Sequence, residues 1–258
     1  MTSPENLHET RKPHSAPNEP EIARCCFLSD LHLLASRSNA HHYREALAVA
    51  AAGADIFVLG GDIFDFTWSR SESHERSFDR AAGWLESLLL ACPVCRFVYV
   101  LGNHDHHVGF IDRLEELAAL HPMFEWRPDY FRVGDTVFLH GDVADRTMTA
   151  DKLTKTRYRW GRKRRKGKFA NAVYDWAVYT QLHKPVPYLN YRRLCARRIL
   201  AYHESIGEGV STGLRHVYFG HIHRPFIHYY YRGVGFHNSG AALKGLKSRI
   251  LETRIRTG

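Results

Sequence analysis

Five short apolar runs in this chain each end in a cluster of aspartate, histidine or asparagine, and this recurrence restricts the fold more than any other feature. Cys25-Cys26-Phe27-Leu28 leads into Ser29-Asp30-Leu31-His32, and Ile56-Phe57-Val58-Leu59 into Gly60-Gly61-Asp62-Ile63-Phe64-Asp65. Phe97-Val98-Tyr99-Val100-Leu101 leads into Gly102-Asn103-His104-Asp105, Val137-Phe138-Leu139 into His140-Gly141-Asp142, and Val217-Tyr218-Phe219 into Gly220-His221-Ile222-His223. Runs of β-branched and aromatic residues bounded by turn residues predict strands. Segments 43–52, 78–90 and 110–120, with helical apolar spacing, separate the first four runs. That alternation predicts an α/β sheet, and such sheets bind ligands beyond the carboxyl ends of their strands, where all five clusters fall. Further strands are expected over 227–231 and 250–255.

The chemistry these clusters suit is narrow. Carboxylate, amide and imidazole without thiolate are ligands for hard and borderline divalent cations. Two such ions about 3.5–4 Å apart need one shared ligand and several neutral imidazoles and oxygens. Asp30 and His32, two apart on a turn leaving a strand, can both be aimed at one ion. Glycines beside Asp62, Asn103, His140 and His221 permit sharp turns and close approach. His104 and Asp105 place an imidazole and an orienting carboxylate next to Asn103. Taken singly each cluster is ordinary turn chemistry, but random turns would not assemble one complete set for two metals. Asp65 and Asp142 read first as turn-stabilising groups and second as carboxylates that orient a ligand.

In this order, D-x-H, GD-x-x-D, GNHD, HGD and GH-x-H resemble the motifs of the calcineurin-like metallophosphoesterases, from Asp30 to His223. The resemblance implies a four-layer α/β/β/α sandwich with Asp30, His32 and His223 on one metal, Asn103, His140 and His221 on the other, and Asp62 bridging. It gives His104 the contact with phosphate and the protonation of the leaving oxygen, with Asp105 orienting it. It also implies hydrolysis of a phosphoester or pyrophosphate by water activated between two divalent ions, manganese first, with iron and zinc as alternatives. A narrower resemblance, carried by Ser29 to Leu33, Gly61 to Asp65 with Trp68, and Gly220 to Pro225, is to the UDP-2,3-diacylglucosamine hydrolases of lipid A synthesis. Those enzymes cleave a pyrophosphate in a lipid-linked sugar nucleotide at the cytoplasmic face of the inner membrane. Many carry arginine where this chain has His104, which leaves the substrate open.

Residues 142–213 break the rhythm and are expected to form an inserted basic helical cap within a domain spanning 22–258. Between Lys152 and Lys168 about ten Lys or Arg stand against one neighbouring acid, Asp151, so the stretch is either a solvated face or an anion site. Arg157, Arg159 and Trp176 are its candidate substrate contacts, alongside Asn103. Phe169, Val173, Trp176 and Thr180 share one helical face; Tyr191, Leu194, Cys195, Ile199 and Tyr202 share a second. The formal charge of +9 favours an anionic partner. The candidates are a phosphorylated or nucleotide-linked substrate, an acidic membrane surface touched peripherally and, third, nucleic acid. Within the enzyme class the alternatives are a broad-specificity phosphodiesterase and a nuclease; from another class, the alternative is a catalytically silent module that binds membrane or nucleic acid through the insertion. Five cysteines without paired spacing read as reduced thiols in a cytosolic protein, and Cys92-Pro93-Val94-Cys95 as two small buried residues. Residues 1–21 read as a flexible polar tail lacking the apolar core of a signal peptide, and no apolar run reaches the ~20 residues of a membrane span. His237, beside Asn238-Ser239-Gly240, reads as a surface or pocket residue within reach of the site; the oligomeric state stays open.

Overall fold

The structure, a computed structural model, describes residues 21–69, 73–162 and 191–257. Its strands are β1 (Glu21–Leu28), β2 (Ile56–Gly60), β3 (Arg96–Val100), β4 (Phe124–Arg127), β5 (Tyr130–Val133), β6 (Thr136–Leu139), β7 (His216–Phe219), β8 (Phe226–Tyr231), β9 (Val234–Asn238) and β10 (Leu251–Thr257). They form two five-stranded sheets, ordered β10-β1-β2-β3-β4 and β5-β6-β7-β9-β8. Within the first, β1 to β4 run parallel and β10 pairs antiparallel with β1. Within the second, β6, β7 and β9 are parallel, flanked by antiparallel edges. The described helices are α1 (Arg44–Ala52), α2 (His74–Ala91), α3 (Val108–Leu120), α4 (Ala150–Gly161) and α5 (Tyr191–Ser205).

Side chains alternate between the faces of a strand, and the runs read from the sequence are apolar on both faces because both are covered. Cys26, Leu28, Phe57, Leu59, Phe97 and Tyr99 point one way, packing with Leu47 of α1, Phe78 and Leu85 of α2 and Phe110 and Leu114 of α3. Their neighbours Cys25, Phe27, Val58, Val98 and Val100 point the other way, against Phe131, Phe138 and Tyr218 of the second sheet. On the far side of that sheet, Val137, Leu139, Val217, Phe219 and Phe236 meet Leu153 of α4 and Cys195, Ala196, Ile199 and Leu200 of α5. Three apolar layers separate four structural ones, giving the expected α/β/β/α order. Helix α5, read from the sequence as part of a cap, is therefore in fact the outer helical layer of the second sheet, with its predicted apolar face turned inward.

All five cysteines are free and buried, and burial pushes the Cys95 thiol up to about 12, so Cys92 and Cys95 act as small core residues. Among the described residues no helix is long and apolar enough to cross a membrane.

His203 of α5 is fully buried with neither ring nitrogen hydrogen-bonded, its ring edge-on to Tyr130 and Tyr202 at 5.3 Å. Burial lowers its pKa from 6.5 to about 4. The unfolded chain therefore takes up a proton that the fold refuses, and stability falls as pH drops from 6.5 towards 4, by about 3 kcal/mol. His203→Phe is expected to remove this loss, seen as a Tm gap between variant and wild type that moves in the variant's favour from pH 7 to pH 4.

Candidate metal centre

The carboxyl ends of β1, β2 and β3 meet those of β6 and β7 at one end of the sandwich, and backbone bonds tie the loops together. The Asp30 and His32 amides donate to the Gly61 and Asp62 carbonyls at 3.0 and 2.9 Å, and the Gly220 amide donates to the His140 carbonyl at 2.7 Å. Two glycines make the approach possible. A Cβ on Gly102 would overlap the Asp62 carboxylate, and one on Gly220 would overlap the side chains of Ser29 and Asp30.

The backbone itself marks the site. Among the described residues eight that are not glycine adopt positive φ, and five of them are Asp30 (55°), His32 (47°), Asp62 (51°), His221 (66°) and His223 (53°). Left-handed backbone is uncommon for residues with a Cβ, and its concentration in one place indicates strain held for function.

Two sets of ligand atoms result. In one, His223 Nε2 lies 3.2 Å from both Asp30 Oδ1 and His32 Nε2. In the other, His140 Nε2 lies 3.2 Å from Asn103 Oδ1, 3.2 Å from His221 Nδ1 and 3.3 Å from Asp62 Oδ2. Ligands about 2.1 Å from a common ion at right or tetrahedral angles stand about 3.0–3.4 Å apart, so both sets match the spacing of a coordination sphere. Asp30 Oδ1 is buried without a hydrogen bond, whereas Asp30 Oδ2 accepts from Ser29 Oγ at 2.6 Å and from the His221 amide at 2.8 Å. One carboxylate oxygen is thus anchored and the other presented. Burial works against an imidazolium at His140, yet Asp62 and Asp30 outweigh it and raise its pKa to about 10. The enclosure favours positive charge. These donors fit two divalent cations, with Asp62 in the second set and its Oδ1 accepting from the His104 amide at 2.8 Å.

Around these atoms stand two more carboxylates, Asp145, which no motif contained, and Asp65 of the GD-x-x-D motif. Asp145 Oδ1 lies 2.8 Å from His221 Nε2, fixing the ring so that Nδ1 faces His140. Asp65 reaches His104 Nδ1 at 3.1 Å and His32 Nδ1 at 3.5 Å, and Arg37 donates to it at 2.7 Å. Burial raises the Asp65 pKa, but His104, His32 and Arg37 outweigh it and hold this carboxyl well below the usual range. At His104 burial lowers the pKa, and Asp65 and Asp62 reverse that and leave it raised. The spacing D-x-x-D in Asp142 to Asp145 was the only sequence sign of Asp145.

Three expectations need correction. Asp105 does not orient His104: its carboxylate accepts from Tyr99 Oη (2.6 Å) and the Gly102 and Ile63 amides (2.7 and 3.0 Å), tying the β2 and β3 exit loops together. Asp65 has the orienting position instead. Arg157 is not an exposed anion contact. It is buried in α4, with Nε and Nη2 donating to Asp142 at 2.9 and 2.8 Å and further bonds to Asp129 and the Pro128 carbonyl. His237 turns away from the ligands and stacks on Tyr218 between the sheets at 4.4 Å. Arg159 is exposed on α4, and Trp176 lies outside the described residues.

Residues 23–225 match the sequence profile of the family described as calcineurin-like phosphoesterase. Among solved structures, a dimetal phosphatase from Danio rerio is similar at a TM-score of 0.44 and 14% identity, over 93% of this chain and 100% of that one. Vps29 from Chaetomium thermophilum is similar at a TM-score of 0.34 and 9% identity, over 91% of this chain and 95% of that one. A comparison with curated protein sequences gave no match.

Proposed function

Since the chain belongs to the calcineurin-like phosphoesterase family and is a metal-dependent hydrolase of that kind, we propose that it cleaves a phosphodiester or pyrophosphate at the centre formed by Asp30, His32, Asp62, Asn103, His140, His221 and His223. Asp30, His32 and His223 would hold one cation, Asn103, His140 and His221 the other, and Asp62 both. When bound, the cations would polarise the phosphoryl oxygens and lower the pKa of water so that it attacks phosphorus in line. The protein's own contribution is to fix the donors before substrate arrives and to supply a proton. Asp65 faces Nδ1 of His104, which leaves Nε2 to protonate the leaving oxygen as its bond to phosphorus breaks.

The observation that carries this reading is the convergence of seven candidate ligands from five separate loops at coordination spacing, five of them on left-handed backbone. Hydrolysis of bis(p-nitrophenyl) phosphate is expected with manganese, to disappear on chelation and to return on re-addition. Absence of turnover with manganese, iron and zinc alike, in protein that binds no metal, would overturn it.

A nucleotide-linked pyrophosphate is the substrate class we favour. A cavity of about 460 Å³ is lined by Arg192, Arg193, Arg224, Tyr191, Phe226 and Tyr229, and Arg224 directly follows His223 in the chain. The Arg192 guanidinium lies 5.1 Å from the Phe226 ring centre and Arg224 5.6 Å from that of Tyr191. Guanidinium groups and aromatic faces suit an anion attached to a planar or apolar group. A UDP-linked pyrophosphate should be cleaved with a far lower KM than bis(p-nitrophenyl) phosphate; equal KM values would remove this refinement and leave the broad phosphodiesterase. Peripheral binding to an acidic membrane is supported by the exposed Lys152, Lys155, Arg159 and Arg197, and is checked by liposome binding across a salt series.

A further inference from the structure

We propose that Trp160 is a positioning residue for His104, closing the side of the imidazole that the Asp65 carboxylate leaves free. The inference rests on the reading of His104 as proton donor and adds a residue from outside the five motif loops. The His104 main chain is fixed, because its amide donates to Asp62, and Asp65 lies at Nδ1. Those two contacts still permit the ring to swing about its side-chain bonds. Two rings stand in the way: His32 edge-on at 5.1 Å and 86°, and Trp160 at 4.9 Å and 48°. His32 belongs to the ligand set; Trp160 comes from α4.

Helix α4 is held firmly enough for Trp160 to act as a wall. Arg157, one helical turn earlier, is buried in its forked pairing with Asp142. At the other end Gly161 packs so closely on the His106 carbonyl that a Cβ would collide with it. The helix end therefore rests directly on the loop that carries His104. Trp160 thus keeps Nδ1 on Asp65 and Nε2 in the one direction from which a leaving oxygen can be protonated.

Leaving-group dependence separates this role from a merely structural one. p-Nitrophenolate departs without a proton, whereas phenolate, the stronger base, needs one. With the manganese-loaded enzyme, Trp160→Ala is expected to lower kcat for phenyl phosphodiesters about tenfold more than for p-nitrophenyl diesters, and Trp160→Phe to restore most of the difference. In proton NMR the His104 ring resonances should lose the ring-current shift of the indole in Trp160→Ala. Equal losses on both substrates, or unchanged His104 resonances in folded Trp160→Ala, would overturn the proposal. His104→Ala serves as the reference and should give at least the same selective loss. If it gives none, the assignment of His104 falls and the role of Trp160 with it; if it does and Trp160→Ala does not, only the present inference fails.

Discussion

Asp62→Ala is expected to lower metal-dependent turnover by about 10³-fold or more and to reduce the metal bound per chain. The magnitude follows from the several kcal/mol of charge stabilisation that a dinuclear centre supplies, at 1.36 kcal/mol per tenfold in rate. Asp62 is 1% exposed, its Oδ2 is 3.3 Å from His140 Nε2, and its Oδ1 accepts from the amide of His104. Alanine removes the shared charge and frees the loop that carries the proton donor. Asp62→Asn separates the two effects, because the amide oxygen can still accept from His104 while the charge is gone. Steady-state rates on bis(p-nitrophenyl) phosphate, with metal content by elemental analysis, should show asparagine almost as inactive as alanine. Substantial activity in either variant would refute the bridging role.

Asp65→Ala is expected to damage stability and rate together. The carboxylate is fully buried, receives Arg37 and the Trp68 amide at 2.7 and 3.0 Å, and faces both His32 and His104. Removing it takes the carboxylate partner from a guanidinium that is only 5% exposed. Breaking a buried pair in this way costs about 3–5 kcal/mol, which in a protein of this size lowers Tm by roughly 10 °C. Two imidazoles also lose the group that orients them, for which about 10–100-fold in activity or metal affinity is usual. Thermal unfolding and kcat measured on the same preparation test both parts. A variant as stable as the wild type but slower would mean that Asp65 serves only the site.

The contrast between Asp65 and Asp105 shows where reading the sequence stops. The motif places Asp105 beside His104 in the chain, and adjacency suggested partnership. Successive residues on a turn point in different directions, and the Asp105 carboxylate goes to Tyr99 and to two backbone amides instead. Asp65, distant in sequence, arrives from the loop after β2. Arg157 shows a related limit: a run of cations implies a solvated face or an anion site, but its partner Asp142 lies fifteen residues earlier and the pairing exists only once α4 has docked. By contrast, the seven side chains singled out as ligands are brought together by the fold, because each follows directly from the end of a strand. Strands β1, β2, β3, β6 and β7 were visible as apolar runs buried on both faces. β4 (Phe-Glu-Trp-Arg) and β9 (Val-Gly-Phe-His-Asn) were not, since polar residues and glycine break their patterns.

The left-handed turns at Asp30, His32, Asp62, His221 and His223 restrict how this centre could be altered. Asparagine, aspartate and histidine accept that conformation more readily than other residues bearing a Cβ, and they are also the donors a pair of hard or borderline cations requires. Outside Asp62, whose charge both cations would share, exchanging one of them for another is therefore the gentlest route to a different ion preference. Installing valine or isoleucine at the same positions would force the loop to rebuild as well as deleting a donor, so tolerance at these sites should follow backbone compatibility as closely as it follows the chemistry of the side chain.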